Sequence, residues 1–182
     1  FVPGGSFSGN FHPVVVMSQN MLPFEWAEIR RFGFSLPLFR YLLLRFIQTR
    51  SFRNADGVVF LTEYARDAVQ RVTGPLRGSV AVIPHGLNSR FKLPPRVQLS
   101  IDAYTPERPF HFLYVSIINL YKHQWAVIEA LGRLRERTQC PLVLDLVGPY
   151  YQPALKRLNR ALGRWDPHRR WARYHGSIDY EQ

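Results

Sequence analysis

FHFLYVSIINLYKHQWAVIEALGRLRER, residues 110–137, is the stretch whose reading decides the fold. Its opening run, Phe112-Leu113-Tyr114-Val115, reads as a buried strand of a parallel sheet. Trp125, Ile128, Leu131 and Leu134 then recur on one face of a helix, with Glu129, Arg133 and Arg137 pointing elsewhere. Between them lies a polar turn, residues 116–123, with Lys122 just ahead of the helix. In open α/β sheets, ligands bind outside the carboxyl ends of strands, where helix N-termini and loop N–H groups meet. Lys122 is therefore placed for a phosphate. Taken alone, a solvated surface lysine is the simpler reading.

Working outward, residues 141–148 form a second apolar run ending in Gly148. Residues 154–162 read as a basic helix, and residues 173–178 as another strand end with its loop. A strand–helix–strand–helix–strand unit thus begins at about residue 109. Immediately before it, residues 91–109 carry Pro94, Pro95, Pro106 and Pro109 without periodicity, the pattern of a linker.

The part before the linker repeats the alternation. Val14-Val15-Val16-Met17 reads as a buried strand leading into a polar, then apolar, loop over residues 18–25, where Pro23 argues against a helix. Residues 35–53 read as a helix whose Leu36, Phe39, Leu42, Leu43, Phe46 and Ile47 share a broad face, with Arg40 and Arg45 near its edges. Packing of that face on the sheet is the preferred reading; contact with an anionic bilayer is the alternative. Residues 57–61 form a further strand. Thr62 caps a helix over residues 63–72 that Gly74-Pro75 ends, and residues 80–83 form another strand, closed by Pro84-His85-Gly86. Near the start, Gly4-Gly5 reads as ordinary turn chemistry or as backbone approaching a ligand.

Composition narrows the classes. The chain has 182 residues, 46% hydrophobic, with a net charge of +11, which suits a folded protein meeting phosphate ligands, nucleic acid or an anionic surface. The single Cys140 excludes an internal disulfide framework. No run is long enough to span a bilayer, and no signal peptide is evident in the stretch at hand. Scattered histidines and an isolated cysteine argue against a protein-built metal site. Walker, G-x-G-x-x-G and G-x-S-x-G motifs are absent. The aromatic and basic residues of WDPHRRWARY, residues 165–174, read as a solvated segment with buried aromatics rather than a nucleic-acid surface. The chain opens on FVPGG and closes on IDYEQ, and it reads as an internal piece of a longer protein.

The ordered blocks VVVMSQNMLPFE, ADGVVFLTEYA, VIPHGLNSRF, FLYVSIINLYKHQWAVIEAL, LVLDLVGPYY and YHGSID resemble those of GT-B glycosyltransferases. They are most similar to the bacterial family 4 enzymes that build lipopolysaccharide O-antigen and other surface polysaccharides. The resemblance implies an α/β, GT-B-like fold with parts of two Rossmann-like lobes joined by a proline-rich linker. Residues 1–88 would be the end of the acceptor lobe, 89–108 the linker, and 109–182 the incomplete nucleotide-sugar-binding lobe.

By the same resemblance, the partners are a nucleotide-sugar donor and a glycan or lipid-linked acceptor, with no nucleic acid and no cofactor beyond the substrate itself. The enzyme would be retaining, metal-independent and cytoplasmic, with peripheral contact to an anionic inner membrane face. Lys122 and Ser116 become the candidate donor-diphosphate contacts. Gly148, Tyr150, Gly176, Ser177 and Ile178 become nucleotide-loop residues, while Gly4, Gly5, Asn20 and Glu25 face the acceptor. No catalytic residue is assigned. Ser116-Ile117 stands where many relatives carry glycine and arginine, and Asn20 where many carry histidine. The family's glutamate-bearing donor motif is not in the chain, so this piece is expected to be inactive alone. The competing classes are a basic α/β nucleic-acid-binding module and another GT-B-like enzyme, such as a sugar-nucleotide epimerase or a phosphorylase.

Overall fold

The computed structural model describes residues 1–95, 97 and 99–178. Two compact units divide the chain, Phe1–Pro94 and Pro95–Gln182. Asp179, last residue of the YHGSID block, and Arg96 and Gln98 of the expected linker lie outside the described residues.

In the N-terminal unit, apolar runs form β1 (Val15–Ser18), β2 (Gly57–Phe60) and β3 (Ser79–Val82), joined in parallel in the order β1-β2-β3. Val2 adds a parallel bridge to Val16 on the free side of β1. Between β1 and β2 come a single 3-10 turn (Leu22–Phe24), the short α1 (Trp26–Ile29) and the long α2 (Leu36–Asn54); α3 (Glu63–Thr73) links β2 to β3. The helical turn at residues 22–24 corrects the expectation from Pro23. A proline in the first turn gives up an N–H that has no intrahelical partner there anyway.

Right-handed crossovers between sequentially ordered parallel strands put α2 and α3 on one face of the sheet. Toward that face point Val16, Val58 and Phe60, all buried, with Phe52 of α2 between Phe24 and Phe60 at ring-centroid distances of 5.9 and 6.3 Å. Burying each such ring contributes about 1.5–3 kcal/mol. β3 is less covered than its sequence suggests: Val80 stays 38% exposed on this edge strand.

α2 departs most from expectation. Its buried residues are Gln48, Ser51 and Phe52, whereas Leu36, Phe39, Leu43, Phe46 and Ile47 are exposed. The turn of the helix follows from the N-terminal segment beside it. Ser51 Oγ accepts from Phe7 N (3.0 Å) and donates to the Phe7 carbonyl (3.1 Å), and Gln48 Nε2 donates to the Gly4 carbonyl (3.5 Å). Backbone polar groups withdrawn from water must find partners. The polar side of α2 supplies them, so the apolar stripe turns outward.

The C-terminal unit repeats the plan with β4 (Phe110–Val115), α4 (Gln124–Thr138), β5 (Leu142–Val147), α5 (Gln152–Trp165) and β6 (Ala172–Tyr174), the strands parallel in the order β4-β5-β6. Leu142, Leu144 and Leu146 are buried, as are Ile128 and Leu131 on α4 and Ala154, Leu158 and Leu162 on α5. β4 was expected to be buried; instead Leu113 and Val115 are 68% and 67% exposed. It is an edge strand, and both helices lie on one side of the sheet, so its second face is open.

The helices meet where Gly132 leaves room for Trp165: a Cβ there would come within 2.4 Å of the indole Cε3. After α5, buried Asp166 accepts from the backbone N–H groups of Arg170, Trp171 and Ala172 at 2.8–2.9 Å, tying the turn to the start of β6. Within WDPHRRWARY, residues 167–170 are exposed and Trp171 is buried, while Trp165 and Tyr174 are half-buried. Among the described residues, no helix is long and apolar enough to cross a membrane.

Candidate functional site

The carboxyl ends of β4, β5 and β6 bring three loops together. Ser116 N donates to the Val147 carbonyl (2.9 Å), and Gly148 N donates to the Gly176 carbonyl (2.8 Å). Tyr174 Oη donates to the Gly148 carbonyl (2.8 Å). Gly148, at φ 138°, sits so close to the first loop that a Cβ would lie 2.3 Å from the Ser116 oxygen. The predicted residues Ser116, Gly148 and Gly176 thus form a stitched row along the sheet's carboxyl edge. Tyr150, Ser177 and Ile178 flank it as exposed residues. Burial, with the neighbouring Tyr150 adding to it, pushes the Tyr174 phenol above the ordinary tyrosine range, so it serves as a neutral donor.

The loop carrying Lys122 is not the simple polar turn its composition suggested. Ile118 and Leu120 are buried and anchor it. Ile118 N donates to the Pro149 carbonyl (2.8 Å), Tyr151 N donates to the Ile118 carbonyl (2.9 Å), and Tyr114 Oη donates to the Lys122 carbonyl (2.8 Å). The backbone of Lys122 is therefore fixed while its ammonium lies over the Tyr121 ring, 5.3 Å from the centroid. No contact joins that ammonium to Ser116 or Gly148 among the described interactions.

At the start of α4, His123 takes a left-handed conformation (φ 56°) and gives no side-chain cap; Tyr151 gives none to α5. Both helix N-termini therefore point uncapped toward the loops, each carrying the positive end of a helix dipole. Gln124, fully buried beneath the loop, donates from Nε2 to the Ile117 carbonyl (2.9 Å), while its Oε1 lacks a partner among the described residues. Sequence reading missed Gln124; its only signal was a polar residue at the first position of an apolar-faced helix. A lysine, two uncapped helix ends and closely spaced backbone suit an anionic, phosphate-bearing ligand.

A cavity of about 500 Å³ lies elsewhere in this unit, lined by Ile101, Tyr104, Phe110, Phe112, Leu134 and Cys140 among others. It opens at the amino ends of β4 and β5, away from the three loops. Its apolar lining does not suit a diphosphate. Among the described residues, no group of three or more His, Cys, Asp or Glu side chains is arranged to hold a metal ion.

The carboxyl ends of the N-terminal sheet gather the remaining predicted residues. Gly5, at φ 71°, packs beside Gln48 and the Met17 carbonyl, and Gly4 has open space around its α-carbon. Asn20 is exposed, and its Oδ1 accepts from Leu22 N (3.1 Å), starting the 3-10 turn. Glu25 is half-buried and accepts from Tyr64 Oη (2.5 Å). That bond, reinforced by the carboxylate's charge, pushes the Tyr64 phenol upward. Tyr64 was missed as a site residue, although it follows the Thr62 cap at the carboxyl end of β2. The described contacts join Glu25 to Tyr64 but do not join Asn20 to the Gly4-Gly5 turn.

No protein-family model matches the chain, and no curated protein matches it in sequence. Solved structures do match in fold. The Anabaena protein Alr3699/HepE in complex with UDP and glucose gives a TM-score of 0.58 at 18% identity, over 92% of this chain and 42% of that one. An E. coli trehalose-6-phosphate structure bound with UDP-2-fluoro glucose gives 0.57 at 15% identity, over 92% and 48%. An α,α-trehalose-phosphate synthase (UDP-forming) from Burkholderia vietnamiensis gives 0.56 at 15% identity, over 93% and 47%. The chain spans less than half the length of these structures. The likeness establishes an α/β, GT-B-like fold with parallel sheets.

Proposed function

We propose that the chain is part of a glycosyltransferase that moves a sugar from a nucleotide-sugar to a glycan or lipid-linked acceptor. The observation that carries this reading is the carboxyl pole of the C-terminal sheet. There the loop that carries Lys122 and the starts of α4 and α5, neither with a side-chain cap, lie at the same strand ends as the row Ser116, Gly148 and Gly176. The structurally similar Anabaena protein is in complex with UDP and the E. coli one with UDP-2-fluoro glucose, so UDP is the nucleotide to test first.

In such a transfer the bond from the anomeric carbon to the diphosphate oxygen breaks. A bond from an acceptor oxygen forms, the acceptor hydroxyl loses its proton, and negative charge grows on the departing diphosphate. A lysine carried on an anchored loop, together with helix N-terminal N–H groups, stabilises that charge as it develops. In this reading Lys122 and Ser116 hold the diphosphate, and the loops at Gly148, Tyr150 and residues 176–178 line the nucleotide. Gly4, Gly5, Asn20 and Glu25 serve the acceptor. Membership of family 4, a retaining outcome without a metal or cofactor, a cytoplasmic setting, and a role in bacterial surface polysaccharide such as O-antigen complete the proposal. They rest on the ordered sequence blocks.

Calorimetric titration with UDP tests the reading. We expect the chain to bind UDP, and Lys122→Ala to weaken binding about tenfold while leaving the unfolding midpoint unchanged. No UDP binding, combined with tight DNA or RNA binding at physiological salt, would replace this reading with a nucleic-acid module.

A further inference from the structure

We propose that the C-terminal unit carries a second binding site, for a small organic amine with an apolar body, in the cavity at the amino ends of β4 and β5. The cavity holds about 500 Å³, within the range of about 300–1,000 Å³ typical of small-molecule sites. Its aromatic wall is Tyr104, Phe110 and Phe112, each ring packed on the next at centroid distances of 5.1 and 4.9 Å. Ile101 and Leu134 complete the apolar lining and stay 58% and 41% exposed, with Phe112 at 36%. Apolar surface left open inside a concavity is surface that a ligand can cover.

The walls are held by backbone hydrogen bonds. Thr105 N donates to the Arg108 carbonyl (3.1 Å) and Arg108 N to the Thr105 carbonyl (3.0 Å), closing the turn that brings Tyr104 back against Phe110. Phe110 N donates to the Pro141 carbonyl (2.8 Å), joining two lining residues across the strands. Asp102 sits in a 3-10 turn, Ile101–Ala103, where Ala103 N donates to the Ser100 carbonyl (3.0 Å). A cavity formed in advance has little freedom left to lose when a ligand enters.

The charge of the lining fixes the ligand class. The chain carries 24 Lys and Arg against 13 Asp and Glu, yet among the described residues the cavity is lined by one carboxylate, Asp102, and by no lysine, arginine or histidine. No hydrogen bond or ion pair among the described residues uses that carboxylate. α4 ends at the same wall, with Leu134 and Thr138 lining it, and a helix C-terminus carries partial negative charge. The two arginines in that last turn do not line the cavity, and Arg135 donates to the Leu142 carbonyl instead. An ammonium group would meet an unpaired carboxylate, a negative helix end and aromatic rings, interactions that a neutral ligand forgoes. The cavity lies at the opposite strand ends from the proposed UDP site, so the inference is independent of that reading.

Cys140 lines the cavity and is the only cysteine in the chain, which makes its thiol a reporter of occupancy. The test follows alkylation of the full chain by iodoacetamide, an uncharged reagent, at neutral pH. Phenethylamine, an ammonium there, is compared with its uncharged analogue 2-phenylethanol. We expect phenethylamine to slow alkylation, and 2-phenylethanol to need about fivefold higher concentration for the same protection. Asp102→Asn should weaken protection by phenethylamine about fivefold and leave that by 2-phenylethanol unchanged. Ile101→Ser should weaken protection by both probes. Both substitutions fall on exposed residues and should keep the wild-type unfolding midpoint. Alkylation unchanged by phenethylamine overturns the inference. Equal protection by the two probes, indifferent to Asp102→Asn, overturns the amine class. Protection that grows with protein concentration, without either probe, would give the cavity to a second copy and overturn the inference as well.

Discussion

The start of α3 and the starts of α4 and α5 each follow a strand's carboxyl end, yet they are finished differently. Thr62 Oγ1 accepts from Ala65 N (3.1 Å) and closes α3, and nearby Glu25 and Tyr64 satisfy each other. His123 gives α4 no such cap, Tyr151 gives α5 none, and Lys122 adds a positive charge beside them. Capping settles a helix end for stability, whereas an open end beside a lysine retains its attraction for an anion. The contrast favours the C-terminal unit for the proposed phosphate contact.

The largest expected effect is at the stitched row. Gly148→Ala would press a Cβ against the Ser116 carbonyl and force a side chain into a φ of 138°. A loss of about 3 kcal/mol in urea unfolding and a collapse of UDP binding should follow together. A variant that unfolds normally yet binds no UDP would locate the effect in the loops alone; normal binding would show that the row is not part of the site.

Asp166→Ala comes next, leaving three backbone donors without their carboxylate, at a cost of about 3 kcal/mol. Burial by itself pushes this carboxyl upward, but the N–H bonds from Ala172, Trp171 and Arg170 outweigh it and hold it below the usual range. Because the folded value is lowered, the stabilisation is present above the ordinary aspartate value of about 3.9 and is lost as pH falls through the folded value. Comparing wild type with Asp166→Asn across acidic pH should show their difference shrinking below about pH 4. A difference independent of pH would refute the assignment.

Thr62→Ala would give α3 an uncapped start and should cost about 1 kcal/mol, read from the urea midpoint, while UDP affinity stays unchanged. Altered UDP affinity would break the division of labour between the two ends. The smallest effect is spectroscopic. Glu25→Gln should lower the alkaline titration of Tyr64 toward the ordinary tyrosine range, followed by tyrosinate absorbance; no movement would dissolve the Glu25–Tyr64 pairing.

Much of the plan was legible because strand and helix periods are local properties. Apolar runs at Val14, Val58, Leu113 and Leu144, with helical spacing between them, announced parallel α/β units, and glycine after an apolar run marked the tight junction at Gly148. The error on α2 has a different origin. Periodicity says which residues share a face but not where that face points, and the backbone of Gly4 and Phe7 decided the direction through Gln48 and Ser51. Likewise, Phe112-Leu113-Tyr114-Val115 looked doubly buried because an apolar strand reads alike at the centre and at the edge of a sheet. Gln124 and Tyr64 escaped notice because their roles depend on partners 7 and 39 residues away in sequence.

The amino-acid sequence alone determined the alternation of strands and helices, the net charge of +11, and the placing of a lone lysine before a helix. Each follows from neighbouring residues and their periodic spacing. Tertiary structure decided which helix ends stay uncapped, which loops are pressed together at Ser116 and Gly148, and that the apolar side of α2 faces outward. Those features depend on hydrogen-bond partners and steric neighbours brought together from distant parts of the chain, and no local pattern encodes them.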